Sequence, residues 1–164
     1  MSDLGRREYL TPSRTQLPVS AYFDEALFQR EIETLFRKGP GYVGHSLMVP
    51  EAGDYHALEA ERGGRVLVRS ESGIELLSNV CRHRQAIMLE GRGNTGNIVC
   101  PLHRWTYDLK GELLGAPHFE EQPCLNLGRT PLQNWQGLLF EGPRDVAKDL
   151  ARLGVRQEFD FSGY

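Results

Sequence analysis

The sequence predicts an all-β domain with a helix before it and a short helix after it. Eighteen glycines and nine prolines among 164 residues demand many chain reversals, because glycine supplies positive φ and proline presets the start of a turn. Eight short runs rich in aliphatic, aromatic and β-branched residues lie between these reversals. Short strands at such spacing stack as antiparallel sheets. With 40% apolar and 25% charged residues, the chain has the composition and length of a folded domain with a real core.

The elements read in order as follows. Residues 1–20 are a polar lead containing Pro12 and Pro18. From Asp24 to about Arg37, Leu27, Phe28, Ile32, Leu35 and Phe36 recur at helical spacing, with Asp24 as the N-cap. Gly39-Pro40-Gly41 stops that helix. Strands are expected at 42–49, 54–59, 65–70, 74–80, 97–100, 104–109, 112–115 and 137–141, most bounded by turns such as Gly91–Gly96 and Lys110-Gly111. Pro143 to Leu153 reads as a short helix closed by Gly154. The expected divisions are a lead and helix at 1–40, the β domain at 41–142, and a helix and linker at 143–164.

Two cysteine–histidine pairs carry the chemistry. Cys81-Arg82-His83 and Cys100-Pro101-Leu102-His103 flank the sixteen residues 84–99. Two thiolates and two imidazoles in this order match the ligand set of a Rieske [2Fe–2S] centre, where two histidines replace two cysteines on one iron. In Cys81-x-His83 an extended backbone puts both side chains on one face, about 6–7 Å apart at Cα. That reach suits two irons, whereas one zinc ion needs all ligands to converge. Structural zinc sets are spaced C-x₂₋₄-C and H-x₃₋₅-H. The alternation here favours iron–sulfur and leaves zinc as the alternative.

Charge counting indicates what such a site is for. Two ferric ions, two sulfides and two thiolates sum to zero, so an electron is added more readily than to a four-cysteine cluster. Rieske potentials accordingly span roughly −150 to +300 mV. Trp105, two positions past His103, has no hydroxyl to offer a sulfur, and neither loop holds a second cysteine for a disulfide. Both points place the potential at the low end, with Tyr107 as the remaining hydroxyl donor. Arg82, Arg84 and Arg104 either favour the reduced, anionic cluster and steer an acidic partner, or simply face water. His45, His56 and His118 lack the spacing of a mononuclear iron site and are expected to be surface or packing residues. Cys124 is expected to pack as a small apolar residue.

The flanks of these pairs resemble a family. Asn79-Val-Cys-Arg-His-Arg84 and Cys100-Pro-Leu-His-Arg-Trp-Thr-Tyr-Asp108 look like the two Rieske boxes of aromatic-ring-hydroxylating oxygenase α subunits. Tyr42-Val-Gly-His45, Pro50-Glu-Ala-Gly-Asp54, Leu109-Lys-Gly-Glu-Leu113 and Gln136-Gly-Leu-Leu-Phe140 resemble segments around those boxes. Gln85 departs from the pattern, standing where the family usually has glycine. The resemblance implies stacked antiparallel sheets with a [2Fe–2S] cluster on two loops at one end. It puts Cys81 and Cys100 on one iron, His83 and His103 on the other. It also implies a ferredoxin or flavin reductase as electron donor and a mononuclear Fe(II) in a downstream oxygenase domain as acceptor. His103 would connect through a carboxylate to that iron site in a neighbouring subunit of a full-length homotrimer. On this reading the chain is the electron-transfer part of an oxygenase, whose catalytic iron and substrate pocket lie beyond Tyr164. A self-standing Rieske ferredoxin is the alternative. A net charge of −3 gives no reason to expect nucleic-acid binding. No run is long and apolar enough for a membrane span, and the polar start lacks a secretory signal, so a cytoplasmic location is expected.

Overall fold

The computed structural model describes residues 18–121 and 123–151. The lead before Pro18 and the expected helix end at 152–154 lie outside the described residues. Helix α1 (Glu25–Glu31) begins as expected, with the Asp24 carboxylate accepting the Leu27 N–H at 3.1 Å. It then widens into a π-helical turn over Ile32–Phe36, in which the Arg37 N–H reaches back five residues to the Ile32 carbonyl. The Thr34 hydroxyl takes the Arg30 carbonyl at 2.6 Å, competing for an acceptor of the regular ladder. None of the residues in this helical arm is buried. Its apolar stripe is real, yet among the described residues no element covers it.

Among the described residues eleven strands follow: β1 (Gly41–His45), β2 (Asp54–Ala57), β3 (Arg65–Ser70), β4 (Gly73–Ser78), β5 (Arg92–Asn94), β6 (Ile98–Val99), β7 (Thr106–Tyr107), β8 (Leu113–Gly115), β9 (Arg129–Thr130), β10 (Leu132–Trp135) and β11 (Leu138–Glu141), then helix α2 (Val146–Ala151). They form three antiparallel sheets ordered β1-β11-β10, β5-β2-β3-β4-β9 and β6-β7-β8. The all-β class therefore holds. Three details differ from the sequence reading. The run 42–49 stays extended only to His45, whose Nδ1 accepts the Leu47 N–H at 3.0 Å and turns the chain into a 3-10 turn. β5 lies inside the Gly91–Gly96 segment read as a turn, because pairing with β2 requires only its backbone. β9 and β10 are split by Pro131 and lack the apolar alternation that marks a strand.

The five-stranded sheet is the middle layer. Val66 and Val68 of β3 and Leu77 of β4 point into the core that carries the cysteines, with Ile98, Trp105 and Tyr107. Leu67 and Leu76 point the other way, against Val49 and Leu139 beneath the β1-β11-β10 sheet. Val66, Leu67 and Val68 are all 0% exposed. An unbroken apolar run is what a strand buried on both faces requires. The β10–β11 hairpin closes through Gln136 and Gly137, both at positive φ (50° and 91°), with the Asn134 carboxamide oxygen accepting the Gly137 N–H. This two-residue turn matches the strand twist.

Candidate cluster-binding site

Two loops at one end of the layers have the same backbone form. In the first, the Cys81 N–H bonds the Ala86 carbonyl (2.8 Å) and the Gln85 N–H returns to the Cys81 carbonyl (3.0 Å). In the second, the Cys100 N–H bonds the Trp105 carbonyl (2.8 Å) and the Arg104 N–H returns to the Cys100 carbonyl (3.1 Å). Each closes on a left-handed residue four positions past its cysteine, Gln85 at φ 57° and Arg104 at φ 62°. A side chain is disfavoured there, which is the physical reason a glycine suits such a position. Gln85 adopts the conformation all the same, and the loop keeps its hydrogen bonds.

The loops bring the two predicted histidines together and bury the two predicted cysteines in one core cluster. Cys81 and Cys100 are both 1% exposed and belong to one core cluster. The rings of His83 and His103 stand 4.7 Å apart at their centroids, inclined by 73°. Both Nδ1 atoms are buried and have no hydrogen-bond partner. A buried, unpaired polar atom is costly in a finished protein, and two on neighbouring rings, in the loops that carry two buried thiols, fit metal ligation. Among the described residues no three His, Cys, Asp or Glu side chains converge as a single-ion site. Burial first, then the charges of His103 and Arg84, hold His83 below the ordinary histidine value. The ring is therefore neutral near neutral pH and keeps a lone pair for a metal.

Aromatic side chains wall the site. Trp105 stacks on His83 at 5.0 Å with the planes 6° apart, and Phe119 meets both rings edge-on at 5.7 and 5.2 Å. Trp105 is 1% exposed and packs as a core residue beside the histidine. The sequence held no signal for Phe119, which arrives from the loop after β8 by tertiary folding alone. Tyr107 is fully buried, and its hydroxyl lies 3.8 Å from Cys81 Sγ while accepting the Arg82 N–H at 3.2 Å. Burial pushes the phenol up to about 12, so it remains a donor. Asn79, also missed as a functional residue, clamps the first loop: its amide donates to the Gly63 and Leu89 carbonyls and its oxygen accepts the Leu89 N–H. Arg82, Arg84 and Arg104 are exposed around the site. Gly111 holds φ 85° in its turn, where a Cβ would press Leu127 at 3.1 Å.

The residues set aside in the sequence lie elsewhere. His45 caps the turn after β1, and His56 is half-buried in β2. His118 sits at φ 71° in the Phe119 loop. Cys124 is exposed, against the expectation that it packs in the core; its neighbours Pro123 and Leu125 take the inner positions of that extended segment.

Stacked antiparallel sheets carrying two cysteines and two histidines on twin loops define a domain of the Rieske type. Residues 40–132 match the model of the Rieske [2Fe-2S] domain, and the chain belongs to that family. It is 75% identical, over its whole length and 45% of the other protein, to the putrescine 2-hydroxylase of Ralstonia nicotianae. It is 57% identical to the putrescine 2-hydroxylase of Bordetella bronchiseptica, again over all of this chain and 42% of that one. Identity to the α subunit of biphenyl 2,3-dioxygenase from Rhodococcus jostii is 34%, over 86% of this chain and 33% of that protein. A solved quaternary ammonium Rieske monooxygenase superposes with a TM-score of 0.68 at 25% identity, covering 82% of this chain and 40% of that one. The chain thus spans less than half the length of these relatives and matches their N-terminal part. Among the described residues no helix is long and apolar enough to cross a membrane.

Proposed function

We propose that this chain is the electron-delivering domain of a Rieske non-haem iron oxygenase, with the domain proper at 41–142. Cys81 and Cys100 would hold one iron of a [2Fe–2S] cluster through their thiolates, and His83 and His103 the other through Nδ1. Bound there, the cluster supplies a one-electron couple. The two buried, unpartnered Nδ1 atoms on neighbouring rings, in the loops that carry two buried thiols, carry this reading. Around them, Trp105 and Phe119 exclude water from the His83 side, Tyr107 donates to Cys81, and Asn79 fixes the first loop. Electrons would come from a ferredoxin or flavin reductase. They would go to a mononuclear iron held in the polypeptide that follows this segment in the longer relatives, the full-length protein acting as an oligomer.

For the whole protein, the 75% identity over every residue of the chain supports hydroxylation of a short aliphatic diamine such as putrescine. The aromatic ring suggested by the family resemblance is the less supported substrate. The purified chain is expected to be reddish-brown, with about two irons and two acid-labile sulfides per chain. Stoichiometric zinc without iron after anaerobic reconstitution overturns the cluster assignment. The full-length protein, supplied with a reductase, should convert putrescine to a hydroxylated product detectable by mass spectrometry. Turnover of an aromatic substrate and not of putrescine overturns the substrate assignment.

A further inference from the structure

Trp105 buries a polar atom that its packing does not need. The residue is 1% exposed, and its indole Nε1 has no hydrogen-bond partner. Stacking on His83 and the edge contact with Phe119 require an aromatic ring, which phenylalanine would supply without the N–H. A buried donor with no acceptor costs free energy that a phenylalanine would avoid. The indole nitrogen is a donor only, so what answers it must be an acceptor. Neither cysteine sulfur does so, since the atom is unpartnered while Cys81 and Cys100 lie in the same core cluster as Trp105.

The position of this orphan is informative. Six buried side-chain nitrogen or oxygen atoms among the described residues lack a hydrogen bond, and three of them sit on one run of touching rings: Trp105 Nε1, His83 Nδ1 and His103 Nδ1. Trp105 lies on His83 at 5.0 Å, and His83 meets His103 at 4.7 Å. The other three, on His45, Gln136 and Asp149, belong to the β10–β11 turn and to α2. The three ring atoms ask for opposite charges. Each imidazole Nδ1 offers a lone pair, which a metal cation answers, whereas the indole offers a proton, which an anion answers. A lone zinc ion would answer the imidazoles and leave the indole orphaned. A [2Fe–2S] cluster brings both kinds of partner, irons for the imidazoles and sulfides for the N–H. The second loop holds Trp105 in place, its carbonyl accepting the Cys100 N–H at 2.8 Å.

We propose that the Trp105 indole N–H donates a hydrogen bond to an inorganic sulfide of the cluster, an inference that rests on the cluster reading above. Trp105 lacks a hydroxyl, yet it supplies a proton to sulfur through nitrogen. A donor to sulfide stabilises the reduced, more negative state more than the oxidised one, so Trp105 raises the potential from the histidine side as Tyr107 does from the Cys81 side.

Two measurements on the iron-loaded chain test it. With tryptophan labelled by heavy nitrogen in the indole ring, pulsed EPR of the reduced chain is expected to show a nitrogen coupling transmitted through the hydrogen bond. The coupling should persist in Trp135→Phe, which removes the other tryptophan. Replacing Trp105 by β-benzothienylalanine, an isostere with sulfur in place of the N–H, keeps the stacked ring and its packing. It should lower the ratio of reduced to oxidised cluster at fixed potential about threefold, a midpoint shift of about −30 mV at 59 mV per tenfold. Trp105→Phe should shift the midpoint in the same direction. A loaded parent chain with no indole coupling overturns the proposal, as does a coupling lost in Trp135→Phe. So does an isostere whose ratio stays within about 1.5-fold of the parent, about 10 mV, since Trp105 would then serve packing alone. Iron and sulfide content is measured in parallel. A parent chain that takes up zinc and no iron overturns the cluster reading itself and this hydrogen bond with it, whereas full iron and sulfide with no coupling overturns the hydrogen bond alone.

Discussion

Replacing Tyr107 with phenylalanine removes one oxygen and keeps the ring that fills the core between β7 and the first loop. The phenol oxygen accepts the Arg82 N–H at 3.2 Å and stands 3.8 Å from Cys81 Sγ, so its proton is available to the sulfur. Burial raises its pKa to about 12, and it therefore donates throughout the neutral range. Reduction places an added negative charge on the cluster, and a donor to a ligating sulfur stabilises that state more than the oxidised one. A hydrogen bond to a charged group contributes about 1.5–3 kcal/mol against about 0.5–1.5 for a neutral pair, so the redox-dependent part is about 1 kcal/mol. For one electron, with 59 mV per tenfold change, that is about 40 mV. Tyr107→Phe is accordingly expected to lower the midpoint potential by about 40 mV, read by redox titration with visible circular dichroism or EPR at pH ~7. Iron and sulfide content should remain near that of the parent, showing that the cluster is retained. A shift smaller than about 10 mV, which is about 0.2 kcal/mol for one electron, or a rise in potential, refutes the assigned hydrogen bond.

Asn79→Ala leaves the partly buried Gly63 and Leu89 carbonyls and Leu89 N–H without the partner that the fully buried Asn79 side chain supplies. At about 1–3 kcal/mol per unpaired group, it should lower unfolding free energy by about 3 kcal/mol or more in denaturant titration; a loss below about 1 kcal/mol contradicts the clamp. Gln85→Gly and Arg104→Gly each relieve a left-handed residue, worth about 1–2 kcal/mol and partly offset by glycine's looser unfolded state, so each should raise stability by about 0.5–1 kcal/mol. Destabilisation by either would show that the side chain makes a contact that matters more than its strain. Asp54 is held below the ordinary carboxylate value first by the Asn94 amide and then by the Glu51 N–H. A depressed folded pKa gives stability that is present above the unfolded value of 3.8 and lost as pH falls through the folded one. Asp54→Asn should therefore flatten the acid side of the stability profile, and an unchanged profile in melts between pH ~6 and ~3 would remove Asp54 from the account.

The Rieske character was legible because the two cysteine–histidine pairs that point to it are local: thiol and imidazole types, their order and their one- and two-residue gaps are properties of a short extended segment. The Asp24 cap and the turn at Gly111 were legible for the same reason, since a capping carboxylate or a positive φ is decided within four residues. The strands with clear apolar runs, β3 and β4 above all, also announced themselves. What the chain order concealed depends on contacts between distant segments. β5 and β9 exist because a neighbouring strand offers backbone partners, which requires no side-chain pattern. Phe119 reaches His83 and Trp105 only because the β8 loop folds over the site, and Asn79 becomes a clamp only when residues 63 and 89 are brought to it. The helical stripe of Leu27, Phe28, Leu35 and Phe36 shows the converse. Periodicity marks which residues share a face, whereas burial of that face depends on what packs against it, and within the described residues nothing does.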